Sequence, residues 1–231
     1  MRFSKWAFLF VCLMHINLFA LSSHEKLEFD VKYFWIFPVG KLQISISPYL
    51  MDRQDIHRLS ATYTSPKWFS WIFHVRGKVN SYVHAATRFP LRYEEFYAYT
   101  GHDPENNVLV YDQERGLVYI DRNGQKESKE IPMQTLDPLS TVYFLRERAW
   151  TVGDHQEYNL NSHQNNYRFE VNCIEDSKYV HLLGKLTRRD SEEKNPKIKF
   201  KVWLTRDDKR LPVKLYLWTH LGPVTLTLRD A

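Results

Sequence analysis

The chain has 231 residues, 15% of them aromatic, with 32 Lys and Arg against 27 Asp and Glu and a formal net charge of +5. That balance is too mild for a nucleic-acid-binding surface, which needs a concentrated basic face. Two cysteines, Cys12 and Cys173, and eight glycines leave little material for a disulfide framework or a glycine-rich phosphate loop.

Residues 1–22 read as a secretory signal peptide. Arg2 and Lys5 precede an apolar run from Trp6 to Met14, and the small residues Ala20 and Ser22 follow. His15 and Asn17 interrupt the run, which is too short to cross a bilayer as a permanent helix. Cleavage between residues 20 and 23 removes Arg2 and Lys5 and no acid, taking the charge from +5 to +3. Val11 stands where a bacterial lipobox wants a small residue before its cysteine, so a lipid anchor on Cys12 is not expected. The expected product is periplasmic or secreted, with no transmembrane segment after signal removal. Residues 23–231 then form a single exported β-domain, within the usual length of all-β domains. Cys173 is left alone in it, so no intrachain disulfide is available.

The mature region reads as strand after strand. Leu27, Phe29, Val31 and Tyr33 alternate with Glu28, Asp30 and Lys32; Gly40, Leu42, Ile44 and Ile46 alternate with Lys41, Gln43, Ser45 and Ser47. Period-two alternation buries one face and wets the other, as in antiparallel sheets. The pattern recurs at 73–83, 91–99, 108–111, 117–121, 166–173 and 179–186, with turn signals such as Asn123-Gly124 and Glu175-Asp176-Ser177 between runs. One helix is predicted around 138–148. Asp137 is a good N-cap, Pro138 suits the first helical position, and Leu139, Val142, Tyr143 and Arg146 follow at helical spacing. Leu136 before the cap is placed to staple the first turn. The last three strands are the clearest: Phe200, Val202 and Leu204 face one way and Lys199, Lys201 and Trp203 the other, followed by Leu211–Leu217 and Val224–Leu228. The Lys stripe reads as a solvated face that keeps a strand soluble, with a ligand-binding face as the alternative. The fold class expected is all-β, mainly antiparallel: a barrel- or sandwich-like sheet of ten or more strands with one short helix.

Several segments together resemble a known family of exported bacterial proteins. They are Leu27–Tyr33 leading to Val39–Leu42; Phe69–Arg76, Ser81–His84 and Phe89–Tyr93; Asp137–Ser140 with Tyr143–Arg146 and Gly153; and Val202–Thr205 with Asp208 and Leu211–Val213. In this order they are similar to the domain of unknown function 3108. The resemblance implies an exported, mostly-β protein, in many members periplasmic, and carries no catalytic residue across. The chain departs from the family signature at Gly77 and His84, where the signature favours acids.

Catalytic patterns are not found. The mature histidines are scattered with no zinc-protease spacing, no Gly-x-Ser-x-Gly elbow occurs, and Cys173 keeps phase with Tyr167, Phe169 and Val171 on the apolar face of its strand. Glu94 and Glu95 fall on opposite strand faces, so they cannot share a substrate. No metal site, cofactor or catalytic residue is expected. What remains is the aromatic load. Tyr33-Phe34-Trp35-Ile36-Phe37 and Trp68-Phe69-Ser70-Trp71-Ile72-Phe73 hold more consecutive bulk than one strand face can bury. Each reads either as a strand buried on both faces or a loop folded over a barrel end, or as a greasy rim that receives an acyl chain, a membrane surface or a partner. Trp35, Phe37, Trp68, Phe69, Trp71 and Phe73 are therefore the candidate ligand-binding residues. The expected function is non-catalytic binding of a hydrophobic ligand or cell-envelope component. The alternatives are an adaptor that docks another envelope protein and, third, a hydrolase. A lipid or an envelope protein is the expected partner, nucleic acid is not, and the oligomeric state is left open.

Overall fold

A computed structural model describes residues 24–51, 53–66, 68, 75–101, 103–162, 164–189, 198–219 and 222–229. The chain builds two meanders. The first runs through β1 (Glu25–Tyr33), β2 (Phe37–Met51), β3 (Gln54–Thr64), β4 (Val75–His84), β5 (Pro90–Tyr99), β6 (Glu105–Asp112), β7 (Leu117–Arg122) and β8 (Gln125–Glu130). A two-residue strand, β9 (Thr135–Leu136), leads into the helix α1 (Pro138–Glu147). The second meander is β10 (His155–Ser162), β11 (Asn165–Asp176), β12 (Val180–Arg188), β13 (Ile198–Leu204), β14 (Pro212–Thr219) and β15 (Gly222–Leu228). β15 pairs with β1, which merges the two into one 15-stranded sheet in the order β8-β7-β6-β5-β4-β3-β2-β1-β15-β14-β13-β12-β11-β10-β9. The short β9–β10 ladder is parallel. The all-β, mainly antiparallel expectation holds.

The alternation places the side chains as expected. Leu27, Phe29 and Val31 of β1 are buried while Glu28 and Lys32 are exposed, and Phe200, Val202 and Leu204 of β13 are buried with Lys199 outside. Three strands carry no such signal. In β3 the buried residues are Ile56 and Leu59, which breaks the period. β8 has no buried residue and is a strand because the Asn123-Gly124 turn folds it back onto β7, with Asn123 and Gly124 both at positive φ. β10 opens polar and buries an asparagine, Asn161, beside Leu160. β13 lies between β12 and β14, so its Lys face is no edge strand's.

The sheet curls until its ends meet. Residues far apart in strand order, such as Leu42 and Val79 on one side and Phe169 and Leu186 on the other, line one common cavity. Side chains stitch the seam: Lys129 Nζ donates to the Gln164 carbonyl at 2.8 Å, and Asn166 Nδ2 to that of Glu130 at 2.8 Å. The Gln113 amide imitates a strand neighbour, donating to Thr135 O at 2.9 Å and accepting from Thr135 N at 3.2 Å. Such bonds satisfy backbone groups that edge strands otherwise leave to water.

Antiparallel connection gives the barrel two distinct ends. The β2–β3, β4–β5, β6–β7, β11–β12 and β13–β14 turns share one with the C-terminus of α1; we call it the helix end. The β1–β2, β3–β4, β5–β6 and β14–β15 connections lie at the other, the rim end.

Candidate functional site

α1 begins in the interior and ends at the helix end. Asp137 caps it with extended backbone, accepting from Leu139 N and Ser140 N at 2.8 Å each, while Ser140 Oγ accepts from Asp137 N at 2.9 Å. This reciprocal capping satisfies donors that a helix start otherwise leaves bare. Ser81 Oγ on β4 donates to Asp137 Oδ2 at 2.5 Å, which fixes the buried start of the helix to the wall. At the other end Arg146 is buried. It makes a two-pronged pair with Glu25 (2.6 and 2.8 Å) and donates to the carbonyls of Lys209 (2.9 Å) and Arg210 (3.1 Å). Arg88 adds a 2.6 Å ion pair to Glu147. The helix is thus bonded to β1, the β4–β5 turn and the β13–β14 turn.

Between α1 and the wall lies a cavity of about 410 Å³. Leu139, Val142 and Leu145 of α1 face it; Phe29, Leu42, Ile44 and Ala61 line it from the first meander, and Phe169, Phe200, Leu215 and Leu217 from the second. It sits where two hydrophobic clusters meet, one around β1–β8 and one around β10–β13, with Leu215 and Leu217 packed against both. Gly184 has no side chain because the Phe200 ring lies across it; any Cβ there would collide with the ring. Among the described residues, no charged side chain lines the cavity. Its hydroxyl-bearing wall is Tyr93, Thr141, Ser162 and Tyr167, and the Thr141 hydroxyl is already bonded to Asp137 O at 2.7 Å. The volume falls in the usual range for ligand sites.

Beside the cavity is a buried polar group that the sequence reading missed. Glu95 faces inward from β5, 2% exposed, and the hydroxyls of Tyr93 and Tyr97 hydrogen-bond it. Burial, and then the neighbouring Glu95 charge, push both phenols above their ordinary range. Asp137 is raised from 3.8 to about 6 by desolvation, which outweighs its hydrogen bonds from Ser81, Ser140 and Leu139. Alternation announced that Glu94 and Glu95 would part; only the curl of the sheet determines that Glu95 is the one inside. Glu94 is on the outer face with Arg92 at 2.7 Å.

The sequence-predicted candidates lie elsewhere. Phe34, Trp35, Ile36 and Phe37 form the tip of the β1–β2 hairpin at the rim end and are 45%, 52%, 70% and 54% exposed. Trp68, in the β3–β4 connection at that same end, is 52% exposed. The doubly buried reading therefore fails for Trp35 and Phe37, because the chain reverses there and rings at a hairpin tip have no second layer over them. Phe69, Trp71 and Phe73 lie outside the described residues. None of Trp35, Phe37 and Trp68 lines the cavity.

Cys173 is buried, packs with Phe169 and Val171, and burial raises its thiol. Of the scattered histidines, His74 lies outside the described residues, and His84 Nδ1 accepts from Ala86 N (3.2 Å) and Thr87 N (3.3 Å). His181 stacks on Trp203 with ring centres 4.4 Å apart. Among the described residues, no three His, Cys, Asp or Glu side chains come together as metal ligands, and no helix is long and apolar enough to cross a membrane.

Residues 28–229 match the family described as Protein of unknown function (DUF3108). The chain belongs to this family. No curated protein matches it. A similar solved structure is the beta-barrel-like protein of domain of unknown function DUF1849 from Brucella abortus, with a TM-score of 0.60 over 90% of this chain and 96% of that one. At 6% identity the likeness is one of fold.

The DUF3108 motifs acquire structural jobs here. Asp137-Pro138 starts α1. Leu211 before Pro212 closes the β13–β14 turn, with Thr205 N donating to Leu211 O at 2.9 Å and Leu211 N to Thr205 Oγ1 at 2.8 Å, and this is the turn that receives Arg146. His84, standing where an acid is favoured, caps the β4–β5 turn through its ring nitrogen, as an aspartate would with its carboxylate. Gly77 lies against the Tyr97 ring, 3.3 Å from where its Cβ would stand, so an acid there would meet an aromatic face.

Proposed function

We propose that this DUF3108 protein is an exported, non-catalytic β-domain of the cell envelope that binds an apolar ligand in the cavity under α1. The cavity carries this reading. A recess of about 410 Å³ leaves its apolar lining without packing contacts, a loss that close-packed interiors avoid. An apolar occupant recovers those contacts, and the lack of charge on the walls selects against ions and free headgroups inside. Acyl-chain-like or similarly unbranched apolar groups fit walls built mainly of Leu, Val, Ile and Phe. The non-catalytic part rests on the engagement of the interior polar groups: Asp137 is held by helix N–H groups and Ser81, and Glu95 by two tyrosines.

Native mass spectrometry of the chain purified from its own host tests the reading. A bound apolar species of a few hundred daltons is expected, and Leu215→Trp, which fills the cavity, should abolish it while the fold persists. After delipidation, an apolar fluorophore such as N-phenylnaphthylamine should brighten with the wild type and not with Leu215→Trp. A wild type with neither a bound species nor fluorophore uptake defeats the proposal, and a co-purifying second chain in its place favours the adaptor.

A further inference from the structure

We propose that the rim end docks on an anionic lipid bilayer, with the tip Phe34–Phe37 set among the headgroups and the outer faces of β4 and β12–β15 turned to the surface. The first observation is the tip. Four consecutive apolar residues are about half exposed or more, in a place where turns are usually polar. Phe34 and Trp35 sit at φ 46° and 65°, a left-handed region that turns normally fill with Gly or Asn. The tip nonetheless has a defined geometry. Phe34 N donates to Pro223 O at 3.0 Å, the Tyr33 and Phe34 rings meet edge-on at 4.7 Å, and Gly222, at φ 123°, leaves the room they need. A strained turn that holds bulky rings outward presents them rather than hides them.

The second observation is charge. β2, β4 and β12 through β15 contain no Asp or Glu, and β3, between β2 and β4, carries one acid, Asp55, against one base, Arg58. Arg76 and Lys78 on β4, Lys41 on β2, Lys32 on β1, and Lys199 and Lys201 on β13 point outward along this stretch. The three acids of β1 are all ion-paired: Glu25 with Arg146, Glu28 with Lys26 and Asp30 with Arg229. On the opposite side of the sheet, β5 to β8, β10 and β11 together carry more acids than bases, among them Asp121 and Glu127, with Glu94, Asp112 and Glu157 paired to Arg92, Arg115 and Arg189. A mild net charge therefore conceals two walls of opposite sign, and an anionic surface attracts one and turns away the other.

The third observation is the chemistry of that basic wall along its length, from Trp218 near the rim end to Trp203 near the β13–β14 turn. Trp203, Tyr216 and Trp218 run edge-to-face along its outer surface (5.1 and 5.9 Å between centres), with Lys201 over Trp218 at 5.8 Å and Lys214 over Tyr216 at 4.7 Å. Trp, Tyr and Lys are the residues that settle at a membrane–water boundary, where ring bodies want the acyl edge and ammonium groups reach the phosphates. An apolar protrusion ringed by cations suits a bilayer of anionic lipid, which offers acyl depth and negative headgroups together. The inference does not depend on what fills the cavity.

Co-sedimentation of the exported chain with vesicles tests it. Binding to phosphatidylglycerol/phosphatidylethanolamine vesicles should exceed binding to pure phosphatidylcholine at least tenfold, and should fall in high salt. Trp35→Ser/Ile36→Ser should lower the partition about tenfold or more with the melting temperature unchanged. Lys32→Gln/Lys41→Gln should lower it about 25-fold, at roughly fivefold per basic residue. Val152→Ser, at the exposed helix end, and the cavity-filling Leu215→Trp should leave it unchanged. Absence of anionic preference in the wild type, or unaltered partition in both the tip and lysine variants, overturns the proposal.

Discussion

The two ends of this barrel solve opposite problems. At the helix end and along α1 behind it, polar groups are buried and every one discussed has a partner: Arg146 meets Glu25 and two carbonyls, and Asp137, at the inner start of the helix, meets Ser81 and the α1 backbone. At the rim end, apolar groups are exposed and the backbone is strained to keep them so. One end spends hydrogen bonds to hold a helix in place over the cavity, while the other leaves hydrophobic area in water. Stability should therefore concentrate at the helix end, and association at the rim.

Four measurements can break or sharpen that contrast. The largest effect belongs to Arg146→Met. It strands the Glu25 carboxylate and two turn carbonyls, so unfolding in urea should show a loss of about 3–5 kcal/mol, the range for breaking a buried pair; a loss below 1 kcal/mol would show that the helix end is not held this way. Next comes pH. Asp137 binds its proton up to about 6 when folded and to 3.8 in its ordinary state. Between those values the folded chain holds a proton that the unfolded chain releases, so its contribution to stability is full below pH 4 and falls as pH rises through 6. The fall is about 3 kcal/mol over that window. Asp137→Asn keeps a good cap and should flatten this part of the urea-stability profile. Third, Cys173→Ala, which shrinks a buried side chain packed with Val171 and Phe169, should cost about 1–2 kcal/mol, and native thiol labelling should be slow. The smallest effect is expected at the rim: Trp35→Ala should change stability by less than about 0.5 kcal/mol, as exposed sites do. A loss of several kcal/mol there would make the tip part of the core and erase the difference between the ends.

Much of the architecture is legible in the sequence because its cause is local. β1 and β13 alternate cleanly, and Asp137-Pro138 marks the helix start through the bonding needs of its first turn. β8 and β3 are not legible, since one is polar throughout and the other breaks phase between Ile56 and Leu59; pairing with neighbours makes them strands. The candidate site is legible in part. Consecutive aromatics announce residues that one strand face cannot bury, yet Trp35 and Phe37 stand apart from the cavity, whose lining is scattered from Phe29 to Leu226.

The sequence by itself determined which side of the alternating strands is apolar, where the helix begins and which family the ordered motifs resemble. The tertiary structure alone decided that Glu95 and Arg146 are inside, that a cavity lies between α1 and the wall, that the aromatic tip faces water, and that basic and acidic strands segregate to opposite sides. The physical reason is range. Alternation and capping act over a few residues, whereas curl, seam and charge separation follow from pairing register between strands up to two hundred residues apart, such as β1 with β15.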